Sequence, residues 1–455
     1  MNITHEHQRI PRDIKASLNL SWKEGVFSHI MLAVIDYFVV PYALFLGATA
    51  QQIGILLAMA HLMASLVQFF SPTLIRLSKS RVQFLSYASA VQATVLVPMA
   101  ALAFISFEQR IFVFGMFLVI FRIMLSLSSL TWQSLVSDYL PPTKRGHFLG
   151  WRSQVVGLAG LAGLMISGIL LSSLKQISIS LAFAVLFLLA ASCRFLSSYL
   201  QSKLHNVPQQ AMPGSDFTFV QFVKKFRESN FVKFVFYVSS ITFATNIAAP
   251  YFSVFMLRDL HMNYLTYMAV HVSGVISGLI AFPIWGKHSD MVGNARILKM
   301  TSFLVPVIPL LWLCSSHVWY LMMVEFFSGF IWGGFNLCVT NFIFDSVIPQ
   351  KRVRCLGYFN LINGVAIFLG SVIGGFLADR LHPTLGFSLL TLFIISALLR
   401  FSAHFILSGR FHEVRETPHQ PTDFELFASA LGIRPLVGLT RGWLVVFTTD
   451  DQTHE

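Results

Sequence analysis

The sequence predicts an all-α polytopic membrane protein with twelve transmembrane helices in two pseudo-symmetric six-helix halves, both termini cytoplasmic. Three observations carry this prediction. Of 455 residues, 55% are hydrophobic and only 11% charged, against about 25% charged residues in soluble domains, so most of the chain must face lipid. Apolar runs close to the roughly 20 residues that a helix needs to cross a bilayer follow one another almost end to end. The second half also echoes the first, at an offset of about 207 residues.

The first six apolar segments lie at 25–47, 51–73, 82–105, 111–136, 147–173 and 177–200, and the second six at 232–257, 264–284, 297–315, 318–344, 353–378 and 384–408. Alternate connections carry Arg76, Lys79 and Arg81; Lys144 and Arg145; Lys287, Arg296 and Lys299; and Lys351, Arg352 and Arg354. The opposite connections carry Arg110, Lys175, Arg258 and Arg380, one each. Basic residues stay on the cytoplasmic side, which fixes the expected orientation. The net charge of +12 is thereby a topology signal, and no nucleic-acid partner is implied. The expected division is a cytoplasmic segment at 1–22, a first six-helix bundle at 23–203, a linker at 204–230, a second bundle at 231–409 and a tail at 410–455. Residues 1–22 have no apolar core before a cleavage site, so the first membrane helix is expected to direct insertion. Cys193, Cys314, Cys338 and Cys355 show no metal-ligand spacing and read as thiols, with neither metal nor cofactor expected.

The echo is detailed. Ser137–Trp151 (SDYLPPTKRGHFLGW) answers Phe344–Tyr358 (FDSVIPQKRVRCLGY), each with an Asp-x6-Arg phrase, Asp138 to Arg145 and Asp345 to Arg352. Pro41-Tyr42 answers Pro250-Tyr251, His61 answers His271, and Arg194-Phe195 answers Arg400-Phe401. LHNV at Leu204–Val207 answers FHEV at Phe411–Val414, and SDF at Ser215–Phe217 answers TDF at Thr422–Phe424. Each half is expected to be followed by a short amphipathic helix, near Phe217–Phe226 and Phe424–Ile433, the second with Thr422 and Glu425 spaced as a capping box. A solvated linker and tail are the plainer alternative.

Two six-helix halves of this kind resemble the major facilitator superfamily of transporters. Gly286-Lys-His-Ser-Asp290-Met-Val-Gly293-Asn-Ala-Arg296 is similar to that family's loop signature, with its basic pair reduced to Arg296. The equivalent first-half loop, SPTLIRLSKSR, keeps only basic residues, and the Asp-x6-Arg phrases resemble an element of the loops after helices four and ten. The resemblance implies that Asp138, Arg145, Gly286, Asp290, Gly293, Arg296, Asp345 and Arg352 form a cytoplasmic gate, its Asp and Arg side chains pairing across the seam between halves when that side is shut and parting when it opens. The bland alternative is a set of exposed ion pairs worth about 0–1 kcal/mol each. The glycines of the fifth segment, Gly157, Gly160, Gly163 and Gly168, lack the Pro of the antiporter motif, so the direction of transport stays open.

Ionisable groups inside a membrane are costly and mark function by default. Asp36 lies about 14 Å from the cytoplasmic end of the first segment, Arg122 about 16 Å from the external end of the fourth, and Glu325 about 10 Å from the external end of the tenth. An Asp36–Arg122 pair near the midplane is expected, either as a permanent packing bridge or as a site where proton and substrate exchange. Tyr42, His61, Gln133, His271 and Asn336 are the further candidates for a substrate surface, although each alone is more often a packing hydrogen bond.

The leading function is a secondary active transporter of a small solute by alternating access, with protons as the candidate coupling ion, acting as a monomer in the bilayer of a bacterial inner (plasma) membrane. A lipid or lipid-linked flippase on the same fold, and a non-transporting sensor or assembly factor, are the alternatives. The sequence has no P-loop and no D-x-D cluster in an extramembrane loop, so an enzyme is not expected.

Overall fold

A computed structural model describes residues 11–77, 80–140, 142–207, 219–225, 228–378, 380–415 and 423–430. Six long helices build the first half: α1 (Arg12–Phe45), α2 (Ala50–Leu77), α3 (Arg81–Ala101), α4 (Arg110–Tyr139), α5 (Pro142–Leu174) and α6 (Ile179–Ser202). A short α7 (Phe219–Lys224) follows. The second half is more broken. Its first span is made of α8 (Asn230–Asn246), α9 (Ala249–Val254) and a π-helical turn at Phe255–Asp259, the interruption falling beside Pro250, which cannot donate to the helix ladder. Then come α10 (Tyr264–Val292), a span divided at Pro306 into α11 (Asn294–Leu304) and α12 (Val307–Leu311), α13 (Val318–Ser346), α14 (Pro349–Ala378) and α15 (Ser388–Leu407). The last described helix is α16 (Asp423–Ala430).

Twelve of these stretches are long and apolar enough to cross a membrane, matching the twelve apolar segments. Their ends follow local chemistry. Side chains of Ser80, Ser178, Ser229 and Asn263 accept from the third backbone N–H of α3, α6, α8 and α10, the usual remedy for unpaired helix-start donors. Gly293, at φ 88°, makes the break between α10 and α11 that an L-residue rarely adopts.

Two boundaries differ from expectation. α1 begins at Arg12, so the polar stretch before the first apolar segment is mostly helix, and Leu18 packs with Val82, Leu85 and Leu135. The duplicated Asp-x6-Arg phrases are not loops either. Their equivalent prolines, Pro142 and Pro349, are the first residues of α5 and α14, where a missing N–H costs nothing. Of the two expected surface helices, α7 and α16 are present and shorter; Thr422 and the stretch 431–433 lie outside the described residues.

Within the first half α1 packs on α5 and α6, and α3 on α4 and α6; within the second, α10 packs on α13 and α8 on α14 and α15. The halves meet along α2 with α14 and α5 with α10, and α9 touches both α1 and α2. Glycines permit the closest of these approaches, as expected where lipid-exposed helices pack without a hydrophobic driving force. A Cβ on Gly54 would lie 2.7 Å from the Ser371 carbonyl oxygen, and one on Gly168 2.6 Å from Met268 Cβ. Both sites are at the end remote from the basic loops. At the basic end, Gly150 and Gly357 of the duplicated phrases face open space.

Candidate functional site

Asp36 of α1 and Arg122 of α4 meet, the guanidinium donating to the carboxylate at 2.8 Å. The Arg122 side chain is only 14% exposed while Asp36 is 47% exposed, so the pair is rooted in the first half with its carboxylate turned to the open space. His61 of α2 lies within electrostatic reach of both charges.

The next residue, Tyr37, carries the site across the seam. Pro41 has no N–H to return to the Tyr37 carbonyl four residues earlier, and that carbonyl accepts instead from the Tyr267 hydroxyl of α10 at 2.7 Å. Ser253 Oγ lies 3.0 Å from the same hydroxyl and is placed to donate to it. The Tyr37 and Tyr267 rings flank His271, with centroids 5.1 and 4.6 Å away.

Beyond His271 the second half lines an open cavity of about 560 Å³ with residues of α8, α9, α10 and α12 to α15. Glu325, His271 and Asn336 all line it. Glu325 backs onto Gly274, where a Cβ would stand 3.1 Å from the carboxylate. The structure thus gathers Asp36, Arg122 and His61 on one side of the seam and His271, Glu325 and Asn336 on the other.

Two candidates stand elsewhere. Tyr42 is 0% exposed, its hydroxyl donating to the Met99 carbonyl at 2.6 Å and its ring packed by Phe114, Phe183 and Phe187. It offers no surface to a solute, because an aromatic ring next to Pro41 fills the junction of α1, α4 and α6. Gln133 is exposed and donates to Ser129 one turn earlier on its own helix.

Among the described residues at the basic rim, Asp138, Asp290 and Asp345 have their partners inside their own half, as expected where the seam pairs have parted. Asp138 binds Arg81 at 2.8 Å. Asp345 accepts from Asn294 Nδ2 and from Arg415, both at 2.7 Å, and Arg415 also lies 3.6 Å from Asp290. The reason is geometric: α3 and α11 start directly beside the ends of α4 and α13, so their first side chains reach the Asp first. Arg352 donates to the Phe344 and Val347 carbonyls and steadies its own turn. Arg296 and Gly286 sit beside this cluster in sequence, and the Arg145 side chain lies outside the described residues. Gly293 leaves room for Glu413, whose carboxylate accepts from Ala295 N at 2.7 Å and caps α11.

The LHNV and FHEV echo proves to be a strap under each half. In the first, Tyr139 donates to the His205 carbonyl at 2.6 Å and Arg81 to that of Val207. In the second, Lys299 donates to the Phe411 carbonyl at 2.9 Å and Asn230 to that of His412 at 2.8 Å. Hydrogen bonding and the charge of Asp345 hold the Arg415 guanidinium above its ordinary pKa.

One buried network was not visible from sequence patterns. Glu24, 2% exposed, accepts from Arg152 at 2.9 Å, Ser197 at 3.1 Å and Gln201 at 2.9 Å. The Arg152 guanidinium also stacks 3.9 Å over the Trp132 ring. Glu24 falls just before the first apolar segment, where a charge reads as a solvated face. Its signal was the matching Arg152, placed just inside the fifth.

Comparisons with known proteins agree with this architecture. The tetracycline resistance protein, class B, of Escherichia coli is 28% identical over 148 residues, covering 32% of this chain and 35% of that protein. The multidrug resistance protein MdtG of Proteus mirabilis (strain HI4320) is 28% identical over 135 residues, 29% of this chain and 33% of that protein. The matched stretch thus spans about a third of the length of each of these relatives. Among solved structures, the nucleoside transporter NupG superposes with a TM-score of 0.65 at 14% identity, covering 88% of this chain and 99% of that one. A bacterial homologue of the iron transporter ferroportin, in an inward-facing state, gives 0.64 at 12% identity, covering 86% and 98%. At such identities these structures speak for the fold alone. The model of the Major Facilitator Superfamily matches residues 25–371 and 234–449, and the chain belongs to that family.

Proposed function

We propose that this protein is a secondary transporter that moves a small organic solute across the membrane by alternating access, with Asp36 as its proton-coupling carboxylate. The carrying observation is the 2.8 Å Asp36–Arg122 pair, in which a buried guanidinium holds a half-exposed carboxylate. Were the pair purely structural, apolar side chains of similar volume could replace it with no loss of stability. Arg122 holds Asp36 in the conformation seen here, and movement of the guanidinium away from it during the cycle would free the carboxylate to exchange its partner for a proton. Proton and solute then share one site near the seam, where transporters of this architecture place both.

The two halves rock about that seam. The close glycine contacts at one end and the open space at Gly150 and Gly357 support a conformation open at the basic end, which the distribution of Lys and Arg makes cytoplasmic. The aspartates at that rim, each held by its own half, are free to separate as the halves move and act as hinged anchors of the gate. The names of the relatives, tetracycline resistance and multidrug resistance, favour export of a solute with an apolar body. A bacterial inner membrane and a functional monomer complete the reading.

The test is flux in proteoliposomes under an imposed pH gradient. Asp36→Asn should abolish the gradient-driven component and leave solute exchange at zero gradient. Unchanged gradient-driven flux in that variant removes Asp36 from coupling.

A further inference from the structure

Arg400 of α15 is a guanidinium with no counter-ion among the described residues. It is 1% exposed and donates to Ser396 Oγ at 3.1 Å, the Val305 carbonyl at 3.1 Å and the Thr245 carbonyl at 3.4 Å. These are neutral acceptors. A guanidinium has five N–H donors, so one on each terminal nitrogen remains, and the residue lines the second-half cavity.

The internal repeat shows what has been lost around it. Its first-half counterpart, Arg194, bonds Ser197 at 3.3 Å, and Ser197 in turn donates to the Glu24 carboxylate at 3.1 Å. At the register that aligns Pro41-Tyr42 with Pro250-Tyr251, Glu24 falls on Lys233, and at the register that aligns Asp138 with Asp345, Arg152 falls on Phe359. The second half has kept the arginine and dropped the carboxylate. A buried cation is costly unless paired, so the missing anion has to come from elsewhere.

The cavity around Arg400 is also where unspent hydrogen-bonding groups collect. Thr245 Oγ1, Trp312 Nε1, His271 Nε2 and Asn363 Oδ1 are each buried with no partner among the described residues, and the four residues all line it. Buried polar atoms are ordinarily satisfied. The Thr245 carbonyl accepts from Arg400, so the Thr245 hydroxyl stands close to the guanidinium and suits an oxyanion; Trp312, which packs on Phe252 and Phe393, lies further along the cavity, where Phe252, Trp332 and Phe335 supply apolar rings.

We propose that this cavity binds a small organic acid by its carboxylate, with Arg400 as the counter-ion and the Thr245 hydroxyl as a neighbouring donor. Two remaining N–H groups on the two terminal nitrogens match the two oxygens of a carboxylate. Glu325 lines the same cavity and excludes a second acidic group, leaving that side to a donor such as a hydroxyl or ammonium. The proposal names the solute class for the transporter reading and rests on it only for its physiological meaning.

Equilibrium binding to the full-length protein in detergent tests it without requiring transport. The probes are indole-3-acetate, its neutral amide indole-3-acetamide, tryptophan and tryptamine, whose indole suits the ring-lined wall. The acid should bind about tenfold or more tightly than the amide, with tryptophan also binding and tryptamine not. Arg400→Gln should remove the preference for the acid. Because that variant breaks three internal hydrogen bonds, Thr245→Val serves as the second: it deletes a hydroxyl with no partner, so thermal stability should hold while acid affinity falls several-fold. Equal binding of acid and amide, binding of tryptamine alone, no binding of any probe at millimolar concentration, or full acid affinity in both variants would overturn the proposal. Loss of gradient-driven flux with acid binding intact points instead to the coupling reading.

Discussion

The Tyr267 hydroxyl and the Tyr37 carbonyl oxygen, 2.7 Å apart, form a hydrogen bond that joins α10 of one half to α1 of the other. The carbonyl is available because Pro41, one turn on, has no N–H. A proline thus exposes an acceptor beside the Asp36–Arg122 pair, and the opposite half supplies the donor. The bond belongs to the conformation shut at the end remote from the basic loops and has to break for that end to open.

Tyr267→Phe should therefore favour opening there. A single neutral hydrogen bond contributes about 1 kcal/mol, so the population ratio should move about fivefold. Pro41→Ala, by restoring an N–H that competes for the same carbonyl, should shift it the same way. Distances between spin labels on α1 and α10 read the change, and an unaltered distribution in both variants dismisses the bond as a latch.

Gly54→Val attacks the same closure from the α2–α14 contact. Its Cβ would sit 2.7 Å from the Ser371 carbonyl oxygen, which is backbone and cannot swing away. Overpacking of this kind costs about 1–3 kcal/mol, and the cost falls only on the conformation in which the helices touch. Label distances between α2 and α14 should lengthen; the same substitution at Gly150, which faces open space, should leave them unchanged.

The Glu24–Arg152 bridge is 2% and 10% exposed. Breaking it through Glu24→Gln leaves a buried guanidinium, and about 3–5 kcal/mol of stability should go with it. The double variant Glu24→Gln/Arg152→Met should recover much of that loss in a detergent unfolding series. A double variant as unstable as the single one shows that Arg152 matters for its stacking on Trp132 rather than for charge.

At the strap, Arg415→Ala should cost no more than about 1 kcal/mol, since its side chain is 44% exposed and exposed pairs are screened by solvent. Asn294 still holds Asp345. The pH response has a definite sign. Asp345 raises the Arg415 pKa, so the contribution is complete below the unfolded-state value and disappears only as pH climbs through the higher folded one. Thermal stability of wild type and variant should therefore keep a constant difference from neutral into mildly alkaline conditions. A difference that closes with mild alkali assigns the contact to another group.

Much of this molecule is determined by sequence alone. Spans depend on the mean hydropathy of a window, so all twelve were legible. The repeat fixed two halves, because equivalent residues such as Asp138 and Asp345 keep equivalent places. Even the Asp36–Arg122 pair was legible, since two lone charges near the midplane of adjoining helices have few other partners. What only the tertiary structure decided is which side of each helix faces what. Apolar residues ring these helices on every side, so periodicity cannot separate the face that turns inward from the one that meets lipid. From sequence Tyr42 thereby reads as a solute surface although it is sealed in the core, and Arg400, an ordinary charge near a helix end in sequence, stands buried at the wall of a cavity. The rim partners were hidden for a related reason: Arg81 and Arg415 reach Asp138 and Asp345 from helix starts and straps far along the chain, and only the packed bundle brings them together.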